Sequence, residues 1–126
     1  EPGMAVETLA DFDSLARELG GAAPELCFDV GHAMATGEGD PAALCRQRGA
    51  GCAQVHLEDM RPGIHEHLEP GAGAMDFGAV LSGLGEAGYA GPVCFELSRS
   101  SPRAPDAVAL CATVWRKHLP VSGGGG

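Results

Sequence analysis

Three short apolar segments constrain the fold of this 126-residue chain more than any other feature. They are Glu25–Val30, Ala53–Leu57 and Pro92–Leu97, and each has the length and the aliphatic and aromatic content of a buried strand. The stretches around them carry helix signals. Leu9, Phe12, Leu15, Ala16 and Leu19 fall on one face of a helix over Thr8–Leu19. Thr8 with Asp11 resembles a capping box with Asp in place of Glu, and Gly20-Gly21 ends the helix. Asp40-Pro41 opens a second helix that runs to Arg48, with Asp as N-cap and Pro at the first helical position. Asp76 caps a third, in which Phe77, Val80, Leu81 and Leu84 share a face and Gly88 is the stop. Pro105 starts a last helix carrying Val108, Cys111, Val114 and Trp115. Glu58–Met75, rich in Gly, Pro, His and Glu, reads as a long loop. The tail, residues 121–126, has nothing to bury and reads as flexible.

The order is therefore helix, strand, helix, strand, helix, strand, helix. Strict alternation makes parallel strands joined by crossovers. Three parallel strands cannot close a barrel, and parallel sheets normally need both faces covered. A complete (β/α)8 barrel takes ~250 residues. The expected fold is thus α/β, a partial (β/α)8 barrel over residues 1–120, entered at Glu1-Pro2-Gly3 as if from an earlier strand.

Side chains alternate across a strand, so residues two apart share a face. Leu26 and Phe28 oppose Cys27 and Asp29. Val55 and Leu57 oppose Gln54 and His56. Val93 and Phe95 oppose Cys94 and Glu96. In all three strands the large apolar residues face the helices, and the other face ends in Asp29, His56 and Glu96. Neighbouring strands lie about 4.8 Å apart, which brings three such residues within reach of one cation. Two carboxylates and an imidazole suit Mn, Mg, Co or Zn. Singly, Asp29 reads as a turn cap, His56 as a core histidine and Glu96 as a partner of Arg99. In register they read as a metal site.

More polar groups follow these strands. His32, three residues after Asp29, is placed to bind the metal or a substrate oxygen, or stands as an exposed loop histidine. Arg61 is the best candidate to hold an anionic or hydroxylated substrate. His65 and His67 form a lone His-x-His, weak ground for a second metal. Glu58 and Asp59 read as charges on a solvated loop, and Gly71-Ala72-Gly73 as a turn. Cys27 and Cys94 read as small fillers of a barrel interior, separated by a strand and too far apart for a disulfide.

Four stretches together are similar to a known family. They are Asp29-Val30-Gly31-His32, Val55–Arg61 (Val-His-Leu-Glu-Asp-Met-Arg), His65–Phe77 and Gly88–Leu97. They resemble the xylose isomerase-like TIM barrels, which include sugar and sugar-phosphate isomerases and epimerases. The resemblance implies that these are strands six to eight of the barrel. It also implies a divalent metal held by Glu, Asp, His and Glu from strands five to eight. Asp29, His56 and Glu96 match the last three. Glu1, or a residue just before it, would be the strand-five ligand. By the same resemblance His32, Arg61 and His67 contact substrate oxygens, while Glu96 and Glu1 are the catalytic carboxylates that move a proton next to a carbonyl. Many relatives carry Asp where His65 stands and Glu where Ala72 stands; the first departure argues against several metals.

Charge and cysteines bound the alternatives. Eight basic against seventeen acidic residues leave a net charge of −9, a field that repels nucleic acid. That counts against the zinc-dependent DNA-repair endonucleases of the same superfamily, the second reading. The third is a non-catalytic metal-binding half-barrel. Five cysteines, an odd number with no Cys-x-x-Cys pair, favour a reducing cytoplasm. No apolar run is long enough to span a membrane. The expected partner is a small sugar or sugar phosphate, and the open edge of the first strand offers a place for a second copy to pair.

Overall fold

The structure, a computed structural model, describes residues 3–118. The readings placed on Glu1 and on the 121–126 tail lie outside the described residues. In chain order the elements are α1 (Leu9–Leu19), β1 (Leu26–Asp29), α2 (Val30–Thr36), α3 (Pro41–Arg48), β2 (Cys52–Leu57), β3 (Asp59–Arg61), β4 (Ile64–Leu68), α4 (Phe77–Glu86), β5 (Val93–Phe95) and α5 (Ala104–His118).

The caps form where the residue types dictate. Thr8 and Asp11 make the reciprocal capping box of α1, Asp40 accepts from Ala43 N at the start of α3, and Asp76 accepts from Ala79 N at the start of α4. Each supplies an acceptor to a backbone N–H that has no partner inside the helix. Beyond α4 the chain turns through Gly88, whose φ of +72° suits glycine. Tyr89 N there reaches back to Leu84 O and closes the helix end.

β1, β2 and β5 form one parallel sheet with β2 in the centre. Register pairs Asp29 with His56, Phe28 with Val55, and Leu57 with Phe95. One face packs on the helices through Leu26, Phe28, Val55 and Leu57, which join Val30, Ala33, Cys45, Met75, Phe77, Val80 and Leu84 in a single core. The sheet is the expected three-stranded part of a (β/α)8 barrel, and among the described residues no strand pairs with the outer edges of β1 and β5.

The structure departs from the sequence expectations in four places. Val30 does not end a strand but begins α2, because the Asp29 carboxylate caps that helix through His32 N. Glu58–Met75 is not a plain loop: β3 and β4 pair as an antiparallel hairpin. On α5 the buried residues are Ala107 and Cys111, while Val108 is 68% exposed. It lines an apolar groove with Val93, Phe95 and Trp115 at the open edge of the sheet. Cys27 and Cys94 sit on the face away from the core as expected, with β2 between them, but are exposed rather than packed as fillers. No described element covers that face.

Candidate metal centre

Asp29 ends β1 and caps α2, and its two oxygens do different jobs. Oδ1 accepts from His32 N at 2.9 Å. Oδ2 lies 3.2 Å from His32 Nδ1 and 4.0 Å from His56 Nδ1. His56, on the same face of β2, also has Nδ1 3.3 Å from Glu96 Oε2. Register places His56 opposite Cys94, so Glu96 stands two residues further along and just past β5. Its N–H nevertheless bonds Leu57 O at 2.9 Å, which extends the ladder and turns the carboxylate back towards His56. Asp29, His56 and Glu96 thus offer ligand atoms within 4.8 Å of one another. This donor set fits a divalent cation of the hard-to-intermediate kind. His56 Nε2 is 2.9 Å from the Gln54 side-chain amide. If Nδ1 is the ligand atom, Nε2 carries the proton, and Gln54 must then present its carbonyl oxygen to it.

A second convergence lies beside the first. His32 Nε2 is 2.9 Å from His65 Nε2, and ring centroids of His32, His65 and His67 lie 4.7–5.4 Å apart. The three offer ligand atoms within 4.8 Å of one another. The hairpin decides this: β4 carries His65 and His67 over α2, which carries His32. His67 Nδ1 is buried without a hydrogen-bond partner, 3.9 Å from Glu96 Oε1. Burial holds the His32 imidazole below its ordinary pKa, against the raising pull of Asp29. It is therefore neutral at physiological pH, the form that ligates or accepts.

Two carboxylates read as solvated loop charges are buried instead. Glu58 is fully buried, and neither side-chain oxygen has a hydrogen-bond partner. Desolvation, then the neighbouring Asp29 carboxylate, pushes its pKa far above the usual range. Asp59 accepts from Met60 N at 2.9 Å and Met75 N at 2.8 Å through Oδ1, and from Gly71 N at 2.8 Å through Oδ2. It is the organiser of the segment leading to α4. No local sequence signal marks either burial: Val55–Met60 reads Val-His-Leu-Glu-Asp-Met, with two adjacent charges where the strand ends. Among the described residues no contact turns Arg61 towards Asp29, His56 and Glu96. Its guanidinium is held by Glu66 through bonds of 2.8 and 2.7 Å.

The sequence model of the xylose isomerase-like TIM barrels matches residues 1–117. The chain belongs to this family. An L-ribulose-5-phosphate 3-epimerase, UlaE of Salmonella paratyphi C, is 32% identical over 70 residues, covering 56% of this chain and 25% of the relative. A rhizopine catabolism protein, MocC of Rhizobium meliloti, is 29% identical over 119 residues, covering 81% of this chain and 36% of the relative. Among solved structures, a xylose isomerase domain protein from Alicyclobacillus acidocaldarius superimposes with a TM-score of 0.61 at 25% identity. The match covers 83% of this chain and 44% of that one. The chain thus spans between a quarter and a half of the length of these family members.

Proposed function

We propose that this chain forms the carboxy-terminal part of the active site of a divalent-metal-dependent sugar or sugar-phosphate isomerase or epimerase. The convergence of Asp29, His56 and Glu96 on adjacent parallel strands carries the proposal. The similarity to a sugar-phosphate epimerase supports the reaction class. Asp29, His56 and Glu96 would hold Mn2+, Mg2+, Co2+ or Zn2+, with Glu1 as the candidate fourth ligand. When bound, such an ion supplies Lewis-acid polarisation of a carbonyl and its neighbouring hydroxyl.

The chain's own groups do the rest. Glu96 is the most exposed of the three, its side chain 42% open, and is the carboxylate that takes the proton from the carbon beside the carbonyl. The second carboxylate, acting from the other face, is Glu1 or lies outside this chain. His32 and His67 orient substrate oxygens. Arg61 reaches a substrate only by giving up Glu66. The proposed partner is a small sugar, and the proposed compartment is the cytoplasm; among the described residues no helix is long and apolar enough to cross a membrane.

Two measurements test this. Thermal unfolding followed by circular dichroism is expected to shift upwards with excess Mn2+, because a ligand that binds only the folded state stabilises it, and His56→Ala is expected to reduce the shift. In D2O with Mn2+, a complete barrel that includes this segment is expected to place deuterium on the carbon beside a ketose carbonyl, and Glu96→Gln within it to stop the exchange. Metal-independent exchange would overturn the mechanism. The chain by itself is expected to be a poor catalyst, and ketose turnover without further strands would contradict that. The histidine trio favours a second reading, a metal-dependent DNA-repair hydrolase, against the charge of −9. Salt-sensitive binding to abasic DNA would raise it above the first.

A further inference from the structure

The least explained group in the molecule is the Glu58 carboxyl. It is fully buried, both oxygens lack a hydrogen-bond partner, and it lies beneath the first turn of α2. Gly31 makes the space: a Cβ there would overlap Glu58 Oε1. Buried polar atoms are nearly always paired; Asp29 is near enough to pair with Glu58 only through a proton or a cation held between the two carboxyls. Its polar neighbours are Asp29 and His32, and ligand atoms of the three lie within 4.8 Å of one another.

We propose that Asp29, His32 and Glu58 form a second, interior seat for a divalent cation, which shares Asp29 with the seat at His56 and Glu96. The inference rests on the metal-dependent reading above, from which it takes that shared ligand. Opposite ligands at ~2.1 Å from one ion stand ~4.2 Å apart, so small side-chain rotations bring these three atoms into contact with it. The charge balance favours a cation. Asp29 and Glu96 are the charged side chains that act on Glu58, and both are acidic. Two close carboxylates cannot both ionise in a dry site unless a positive charge stands between them. The His32 ring is set for the task. Its Nδ1 faces Asp29 at 3.2 Å, and its Nε2 is 2.9 Å from His65 Nε2. A cation on Nδ1 leaves the proton on Nε2, where His65 accepts it and fixes the ring, so with the second seat filled His32 serves the ion and His67 alone is left for a substrate oxygen.

The test counts bound Mn2+ in the chelator-treated protein by the loss of the free-ion electron paramagnetic resonance signal. Wild type is expected to take up two ions, and Glu58→Gln and His56→Ala one each. Two ions joined by one carboxylate couple their spins, so the bound spectrum of wild type should be broader than that of either variant. Equal uptake by wild type and Glu58→Gln overturns the second seat and leaves Glu58 holding a proton against Asp29. In that case loss of the single ion in His56→Ala still upholds the metal-dependent function. No uptake by wild type overturns both. If Glu58→Gln does not fold, Glu58→Asp decides, since it keeps the charge but withdraws it. Weakening of the second ion by about tenfold or more supports the seat, and unchanged affinity overturns it.

Discussion

Asp59 shows how much of this structure hangs on single side chains. Its carboxylate accepts three backbone N–H groups at 2.8–2.9 Å from residues 60, 71 and 75. Hydrogen bonds to a charged group contribute about 1.5–3 kcal/mol each, and orphaned buried donors add a cost of their own. Asp59→Ala is expected to lower stability by about 3 kcal/mol or more in urea unfolding. A loss under about 1 kcal/mol would mean that the segment is held by its own turns. The cysteines differ at the same scale. Burial pushes the Cys45 thiol up to about 12, so it is un-ionised and shielded at neutral pH, whereas Cys94 is exposed. Since the thiolate is the nucleophile, maleimide at neutral pH is expected to label Cys94 and to reach Cys45 only after unfolding. Mass spectrometry of labelled peptides decides it.

At the scale of elements, α1 has no fully buried residue; Leu9 and Phe12 pack half-buried against the core, and polar contacts tie the helix to its neighbours. Arg48, the last residue of α3, holds Asp13 of α1 through bonds of 2.8 and 2.6 Å. The Leu9 N–H reaches Glu38 Oε1 at 2.6 Å. The Arg48 hydrogen bonds depress the Asp13 carboxyl below its ordinary value. A depressed carboxyl stabilises the fold above its unfolded pKa, and that contribution disappears as pH falls through the folded one. Asp13→Asn is therefore expected to destabilise the protein at neutral pH and to converge with wild type at acid pH. Both sides of the pair are partly exposed, so the difference should be small and should shrink with salt. A constant gap across the acid limb of a pH–stability profile would show that packing, and not charge, anchors α1.

For the whole molecule, the sheet has one filled face and one open one. Leu57, on the filled face, is fully buried, while Val108 on α5 is 68% exposed beside the groove at the open edge. Leu57→Ala is expected to cost about 3 kcal/mol, within the range for buried leucines. Val108→Ala should change stability by less than about 0.5 kcal/mol, as exposed substitutions do. A large loss at Val108, measured by denaturant unfolding, would mean that the groove is covered in solution. The open face carries Gln54 and the proposed metal ligands Asp29, His56 and Glu96 at its upper end. Stability and the proposed function are thus divided between the two sides of one strand, β2, by the alternation of its side chains.

The amino-acid sequence by itself determined the order of the elements, the parallel sheet, the caps at Thr8, Asp40 and Asp76, and the face shared by Asp29, His56 and Glu96. These follow from local rules: the period of a strand or helix, and the preference of a short polar side chain for an unpaired N–H. Helix α2 leaves no mark in the sequence because Asp29 serves as strand end and helix cap at once, within a seven-residue helix too short to show a period. Only the tertiary structure decided the burial of Glu58 and Asp59 and the meeting of His32 with His65, 33 residues apart. A carboxylate looks the same in sequence whether water or a helix lies over it. Its environment is set by segments that fold onto it from elsewhere in the chain, and no local pattern records their arrival.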